Sequence, residues 1–189
     1  MSESLTDALL RLERLAAGIG RPYAVIGGLA VILRVAVRPT DDLDVLVAAA
    51  GTEAERLLEV ARQHGYRFDE DEARDLLEVG LIRLRSPAEG GYDLDIILAD
   101  APFLEQVVAR STSVAVEGLS LQVATPEDLL LLKLEANRPD DIEDVLSIKD
   151  ALEERLDRAY LEAEADRLGI RDRLHLYLEA PDRPGAGSP

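Results

Sequence analysis

Two aspartates in the segment TDDLDVLV, Asp42 and Asp44, are the residues of this chain best suited to metal chemistry. Residues i and i+2 of a strand point to the same face, so a strand that begins here presents both carboxylates side by side. Mg²⁺ takes oxygen ligands, usually one or two carboxylates completed by substrate phosphates. The pair therefore predicts a site for a divalent cation with a phosphorylated substrate, although D-x-D alone is also typical of a solvated turn that enters a strand.

A pair of glycines upstream, Gly27 and Gly28, provides the second part of this site. Residues 23–26 predict a short apolar strand, the glycines a turn, and residues 29–37 a short helix. A helix that follows a glycine turn offers backbone N–H groups to an anion. Strand, Gly-Gly, helix and a following acidic strand together predict a phosphate-binding turn beside a metal site.

A third carboxylate is available in the segment GGYDLDIILAD, residues 90–100. Its alternation predicts a strand with Asp93 and Asp95 on one face. Asp95 is favoured because it directly precedes an apolar run, as Asp44 does, and Asp93 is the alternative. If the two acidic strands lie close together, three carboxylates can hold two Mg²⁺ ions about 3.5–4 Å apart, which suits an in-line displacement. An edge strand with solvated aspartates is the other interpretation.

Gly-Gly, a spacer, D-x-D and a later aspartate resemble the signature of the DNA polymerase beta-like nucleotidyltransferase superfamily. The run RPTDDLD, residues 38–44, is similar more specifically to the R-x-T-x-D-x-D pattern of the AbiEii/AbiGii-type nucleotidyltransferases, many of them toxins of toxin–antitoxin or phage-defence systems. The resemblance implies that an NTP is the substrate and that Arg38 and Thr40 belong to its binding site.

A second segment, TPEDLLLLKLEANRPDDIEDVLSI, supports the resemblance. Thr125 as N-cap, Pro126 as first helical residue and Asp128 as capping-box partner predict the start of a helix. Lys133 interrupts the apolar run of this helix and is one of only two lysines in the chain. Its charged group either reaches the surface or is directed at an anion. The resemblance implies that Lys133 contacts the triphosphate.

The helix after this break carries Asp141 and Asp144 one turn apart on one face. Arg138, Asp141 and Asp144 match an R-x-x-D-x-x-D pattern that orders the nucleotide pocket in the similar family. Helix capping and a favourable interaction with the helix dipole explain Asp141 equally well. Both interpretations remain open from the sequence.

Length and composition predict one domain over residues 1–180, with a sheet core at about 20–125 and a helical wall at about 126–180. The predicted fold class is α+β: a twisted mixed β-sheet backed by helices with a C-terminal helical portion, which the resemblance makes a nucleotidyltransferase fold. The Pro/Gly/Ser-rich tail, residues 181–189, is predicted to be disordered.

The absence of cysteine and of long apolar segments limits both the reactions that this protein can catalyse and the cell compartments in which it is expected. The chain has no cysteine, which excludes disulfides, thiol catalysis and cysteine-ligated zinc. No apolar run approaches the ~18 residues that a membrane helix needs, and the N-terminal segment does not match a secretory signal. The sequence therefore predicts a soluble cytoplasmic protein without membrane contact.

The net charge of −17 bears on the acceptor. Proteins that follow a nucleic-acid backbone usually display a basic stripe, because Lys and Arg contacts to phosphate dominate that affinity. The sequence shows no such stripe. The charge therefore argues against an RNA acceptor and favours a protein acceptor, a small molecule or a basic partner protein.

The predicted reaction is Mg²⁺-dependent transfer of an NMP group from an NTP to an acceptor hydroxyl of RNA or protein. Asp42 and Asp44 are expected to hold both metals, and Asp95 to bind the catalytic metal and help remove the acceptor proton. Lys133, with Arg38, is expected to neutralise the leaving pyrophosphate. The resemblance implies a toxin role with a cognate antitoxin protein as partner.

Two alternatives stay open. The first is a non-catalytic nucleotide-binding or antitoxin-like partner protein, in which the cleft survives as an interface. The second is a nucleotidyltransferase that modifies a small molecule such as an antibiotic.

Overall fold

A computed structural model describes residues 3–35, 40 and 42–179. The chain forms two compact units, Met1–Leu29 with Pro39–Ala124 and Ala30–Arg38 with Thr125–Pro189. The prediction that they form a single domain stays a prediction. Arg38 and the tail predicted to be disordered, residues 181–189, lie outside the described residues.

The elements of the chain begin and end close to where the sequence patterns place them. In order they are α1 (Leu5–Ile19), β1 (Tyr23–Ile26), α2 (Gly27–Arg34), β2 (Asp42–Val47), α3 (Ala54–Gln63), α4 (Glu70–Leu77), β3 (Leu81–Leu84), β4 (Asp93–Leu98), α5 (Pro102–Arg110), β5 (Thr112–Val116), β6 (Leu119–Val123), α6 (Pro126–Ala136), α7 (Pro139–Leu152), α8 (Arg158–Leu168) and α9 (Arg171–Leu178). All six strands belong to the first unit and α6–α9 belong to the second.

A single six-stranded sheet organises the first unit, in the order β3-β4-β2-β1-β6-β5. The pairs β2–β4 and β1–β6 are parallel and the other pairs are antiparallel. The sheet is therefore mixed, and helices pack on it, which confirms the predicted α+β class.

Alternation along β2 and β4 separates an apolar face from an acidic face. Leu43, Val45 and Val47 are buried, and Val45 and Val47 border the same small cavity as Leu12 and Leu15 of α1. Since successive side chains of a strand point to opposite faces, the aspartates of both strands lie on the face away from α1. Because the amphipathic helix α1 packs on the apolar face, it does not cover the acidic face.

Helices α6 and α7 pack against each other in the second unit. The Thr125 side chain accepts a hydrogen bond from the Asp128 N–H, which confirms the predicted N-cap of α6. The helix ends where Asn137 adopts the left-handed conformation, with φ 50°, and α7 begins at Pro139. None of the helices among the described residues has the length and apolar character needed to cross a membrane.

Candidate active site

The first unit brings four aspartates to one face of two neighbouring strands. β2 and β4 pair in parallel, with Asp42 opposite Asp93 and Asp44 opposite Asp95. Neighbouring strands lie about 4.8 Å apart, so the side chains of each pair begin close together. The pairing on which a three-carboxylate site depends is therefore present.

Gly27 lies directly against the Asp44 carboxylate. Its backbone is in the left-handed region, with φ 65°. A Cβ atom at this position would lie 2.0 Å from Asp44 Oδ2 and 2.8 Å from Asp44 Cγ. Glycine is thus required both by the backbone conformation, which other residues adopt at a cost, and by the carboxylate beside it.

The two glycines are themselves the first residues of α2, whereas the sequence predicted a separate turn and a helix from Leu29. The earlier start follows from the left-handed Gly27, which turns the chain from β1 into the helix without additional residues. Both glycines are partly exposed, and the next residue, Leu29, is buried. The N-terminus of α2 therefore begins beside Asp44, as a phosphate-binding turn next to a metal site requires.

Asp95 is held by an arginine from the neighbouring strand. Nε of Arg83 donates to Oδ1 of Asp95 at 2.9 Å, and Nη2 donates to Oδ2 at 2.8 Å. The contact with this carboxylate raises the pKa of the Arg83 guanidinium above its ordinary value. Both oxygens of the favoured third carboxylate are therefore engaged.

Asp93, the alternative third carboxylate, is tied into the hairpin formed by β3 and β4. Oδ2 of Asp93 accepts from Nη1 of Arg85, and Oδ1 accepts from the Ser86 N–H, both at 2.8 Å. Burial raises the pKa of Asp93, but the hydrogen bonds from Arg85 and Ser86 together outweigh it and hold the pKa below its usual value. One of these donors is a backbone N–H, so the interaction is part of the hairpin itself.

These contacts decide how well the carboxylates fit a divalent cation. Among the described residues, no three Asp, Glu or His side chains are arranged to hold a metal ion. Asp42 and Asp44 still supply two carboxylates on one face, and the second lies directly against Gly27. Two carboxylates completed by phosphate oxygens are an ordinary Mg²⁺ environment. The donor set fits a cation that arrives with a nucleotide, whereas the predicted three-carboxylate set is not assembled in advance.

Thr40, which the resemblance places in the nucleotide site, contacts the backbone at the start of β2. Its hydroxyl donates to the Asp42 carbonyl at 3.0 Å. This hydrogen bond supports the segment that carries Asp42. The contacts of Thr40 and Arg38 with a nucleotide stay predictions.

In the second unit, Lys133 lies between two carboxylates of α7. Its Nζ atom is 2.8 Å from Asp141 Oδ1 and 2.6 Å from Asp144 Oδ2. Lys133 and Asp144 are buried. The other oxygen of Asp141, Oδ2, is also buried and has no hydrogen-bond partner among the described residues. Three residues of the second motif therefore form one cluster, while Arg138 is the exposed N-cap residue of α7.

Comparison with known families decides what kind of enzyme this is. A family model described as "Nucleotidyl transferase of unknown function (DUF2204)" matches residues 6–179. The chain belongs to this nucleotidyl transferase family. It is therefore a transferase, as predicted, whereas its assignment to the AbiEii/AbiGii type stays a prediction.

Solved structures confirm the nucleotidyltransferase fold of this family member. The solution structure of the antibiotic-resistance factor ANT(2″)-Ia matches with a TM-score of 0.57 at 16% identity, covering 90% of this chain and 98% of that chain. A crystal structure of an antigenic nucleotidyltransferase-like protein from Paracoccidioides brasiliensis matches with a TM-score of 0.53 at 18% identity, covering 95% and 93%. No curated protein sequence matches this chain.

Sequence reasoning missed two arginines beside the site of this nucleotidyl transferase, Arg83 and Arg85. Both follow the R-x-R spacing that places them on one face of β3 and its continuation, facing the D-x-D of β4. An R-x-R strand followed along the chain by a D-x-D strand is a detectable signal for such pairing. Using it requires the two strands to be antiparallel neighbours, which β3 and β4 are.

Replacing Lys133 by Met in this nucleotidyl transferase is expected to lower the free energy of unfolding by about 3–5 kcal/mol, because it removes the ammonium group that pairs with two carboxylates, one of them buried. Urea unfolding followed by circular dichroism measures the change. Arg74→Ala is the control, since Arg74 pairs with Asp71 in an exposed ion pair and should change stability by less than about 0.5 kcal/mol. Equal stability of the two variants would show that the lysine is not needed for folding.

Proposed function

We propose that this enzyme transfers an NMP group from an NTP to an acceptor hydroxyl in a Mg²⁺-dependent reaction. The observation that carries the proposal is the contact of Gly27 with Asp44, because it places the N-terminus of α2 beside a carboxylate of β2. A helix N-terminus attracts phosphate, whereas a carboxylate beside it repels phosphate unless a cation lies between them. The combination is suited to a metal-bound triphosphate.

Each candidate site residue of the first unit then has a defined role in the proposed reaction. The N–H groups of Gly27 and Gly28 bind phosphate oxygens, and Asp42 and Asp44 hold the cation. When bound, Mg²⁺ offsets the negative charge of the phosphates. The acceptor oxygen bonds to the α-phosphorus, the bond from that phosphorus to the bridging oxygen breaks, and pyrophosphate leaves with the electron pair. Positioning and electrostatic stabilisation supply most of the acceleration.

Asp95 is the better of the two β4 aspartates for a role in this reaction. Asp93 is bound to a backbone N–H that belongs to the hairpin, whereas Asp95 is bound only by side-chain groups in the hydrogen bonds described above. Side chains can exchange partners without disturbing the strands. We therefore assign the third metal-ligand position, and removal of the acceptor proton, to Asp95 after it separates from Arg83.

In the second unit, Asp141 and Asp144 order Lys133, whose proposed role is to neutralise charge on the leaving pyrophosphate together with Arg38. The three charges of the cluster sum to −1 if all groups are ionised. This negative charge weakens the attraction of the cluster for pyrophosphate, and Lys133 would attract it more strongly after giving up a carboxylate contact. Arg138 keeps its proposed place in the nucleotide pocket on the resemblance alone.

The net charge of −17 supports a protein hydroxyl over RNA as the acceptor. The same charge favours a second candidate, a cationic small molecule. A crystal structure of ANT(2″)-Ia in complex with adenylyl-2″-tobramycin matches this chain with a TM-score of 0.56 at 16% identity, covering 88% of this chain and 97% of that chain. A toxin role, with a cognate antitoxin protein as partner, follows from the AbiEii/AbiGii resemblance alone.

Labelled NTPs identify the acceptor directly. Purified enzyme is incubated with each of the four α-labelled NTPs and a cell extract, with Mg²⁺ or with EDTA. We expect label in a protease-sensitive fraction, and only with Mg²⁺. Label in a small-molecule fraction supports the second candidate, and label in RNA contradicts the charge argument. Nucleotide binding that is independent of Mg²⁺, with no label in any fraction, identifies a non-catalytic binding protein instead.

A further inference from the structure

Arg83 binds the carboxylate to which the proposed reaction assigns a metal ligand. Its guanidinium donates to both oxygens of Asp95, at 2.9 and 2.8 Å. Parallel double hydrogen bonds between Arg and a carboxylate are among the strongest and most directional side-chain contacts. Asp95 is 17% exposed and Arg83 is 37% exposed, so the pair is accessible to a ligand without being fully solvated.

The strand register places Asp95 between a second carboxylate and this arginine. Asp44 is opposite Asp95 on β2, and Arg83 is opposite Asp95 on β3. In the resulting Asp44–Asp95–Arg83 row, a cation held by Asp44 would approach Asp95 from the side away from Arg83. The guanidinium repels that cation, and it already occupies both oxygens of Asp95.

We propose that Arg83 competes with the metal ion for Asp95 and keeps the third carboxylate away from the site until nucleotide is bound. This inference rests on the proposed function. A metal-bound NTP brings phosphate oxygens to the same face of the sheet, and these can replace Asp95 as the partner of Arg83. Asp95 then exchanges a guanidinium for a cation, and Arg83 exchanges a carboxylate for a phosphate. Before nucleotide binds, Arg83 is thus a positioning residue that acts through Asp95, and afterwards it contacts a phosphate.

Arg85 provides a matched comparison two residues along the chain. It donates one hydrogen bond to Asp93, from Nη1 to Oδ2 at 2.8 Å, where Arg83 donates two to Asp95, and its side chain is exposed. Asp93 keeps its hydrogen bond from the Ser86 N–H whether or not Arg85 is present. Removal of Arg85 should therefore not release a carboxylate to a cation, although it removes the same charge from the same region.

Manganese binding to the full chain tests this competition without requiring turnover. Mn²⁺ is titrated into the wild type, Arg83→Gln and Arg85→Gln, and free Mn²⁺ is measured by electron paramagnetic resonance. We expect Arg83→Gln to bind Mn²⁺ about tenfold more tightly than the wild type, and Arg85→Gln to differ from it by less than about threefold. Arg83→Lys keeps the charge but loses the double hydrogen bond, so its affinity should lie between those of wild type and Arg83→Gln. Thermal unfolding establishes that each variant is folded.

The Asp95→Asn background separates competition for a ligand from a general effect of charge. In that background Arg83→Gln should leave the Mn²⁺ affinity unchanged, because the contested carboxylate is gone. The proposal is overturned if Arg83→Gln fails to tighten Mn²⁺ binding, if Arg85→Gln tightens it equally, or if the gain persists with Asp95→Asn. A failure of the proposed function is recognised separately, as absence of nucleotidyl transfer by a wild type that still shows this pattern of Mn²⁺ binding.

Discussion

Asp42→Asn is expected to lower the rate of nucleotidyl transfer by about a thousandfold, because an amide cannot supply the charge that a carboxylate gives to a cation. Asp42 is exposed at the start of β2, so the free energy of unfolding should change by less than about 0.5 kcal/mol. Pyrophosphate release measures turnover, and urea unfolding measures stability. The two readouts together separate loss of chemistry from loss of the fold.

Substitutions of the two β4 aspartates provide the comparison for this result. Asp95→Asn should reduce turnover strongly, whereas Asp93→Asn should keep turnover within about tenfold of the wild type, since Asp93 serves the hairpin through Arg85 and Ser86. The reverse order would assign the third carboxylate to Asp93. Wild-type turnover by Asp42→Asn would remove the proposed mechanism.

The strands that carry the site could be predicted from the sequence, because the patterns that indicate a strand involve only residues that are close together along the chain. β1 and β2 begin where the apolar and acidic patterns place them, since alternation and glycine constrain nearby residues directly. The α+β class followed from the same local patterns. What each side chain contacts depends on strand order, β3-β4-β2, which local patterns do not encode.

Asp95 and Lys133 illustrate that the position of a residue can be predicted from local patterns while its contacts cannot. Spacing placed Asp95 on one strand face with Asp93, and it made Lys133 an interruption in the apolar run of a helix. Neither spacing nor composition indicated that Asp95 would be bound by Arg83, because that contact joins strands separated by a turn. The sequence left open whether Lys133 reaches the surface or is directed at an anion, and in the structure it pairs with Asp141 and Asp144 across two packed helices. Charged groups that look available in a sequence are often paired once the chain folds.

Gly27→Ala is expected to reduce turnover by about a hundredfold, more than its effect on stability would suggest. An alanine Cβ would meet Asp44 Oδ2 at 2.0 Å, so the Asp44 side chain must rotate away from its position. A displacement of about 1 Å in a catalytic group can cost this much in rate. The left-handed backbone, φ 65°, adds a cost of about 1–2 kcal/mol to the folded state.

Gly20→Ala separates the two effects of that substitution. Gly20 has nearly the same backbone conformation, φ 64°, but a Cβ there would meet nothing within 4 Å. Gly20→Ala should lose about 1–2 kcal/mol of stability and keep its turnover. Gly27→Ala should lose more stability, because Asp44 must also move, and it alone should lose turnover. If both variants lost turnover equally, the backbone strain alone would explain the effect. The close approach of Gly27 to Asp44 would then have no catalytic importance, and the phosphate-binding turn would lose its main structural support.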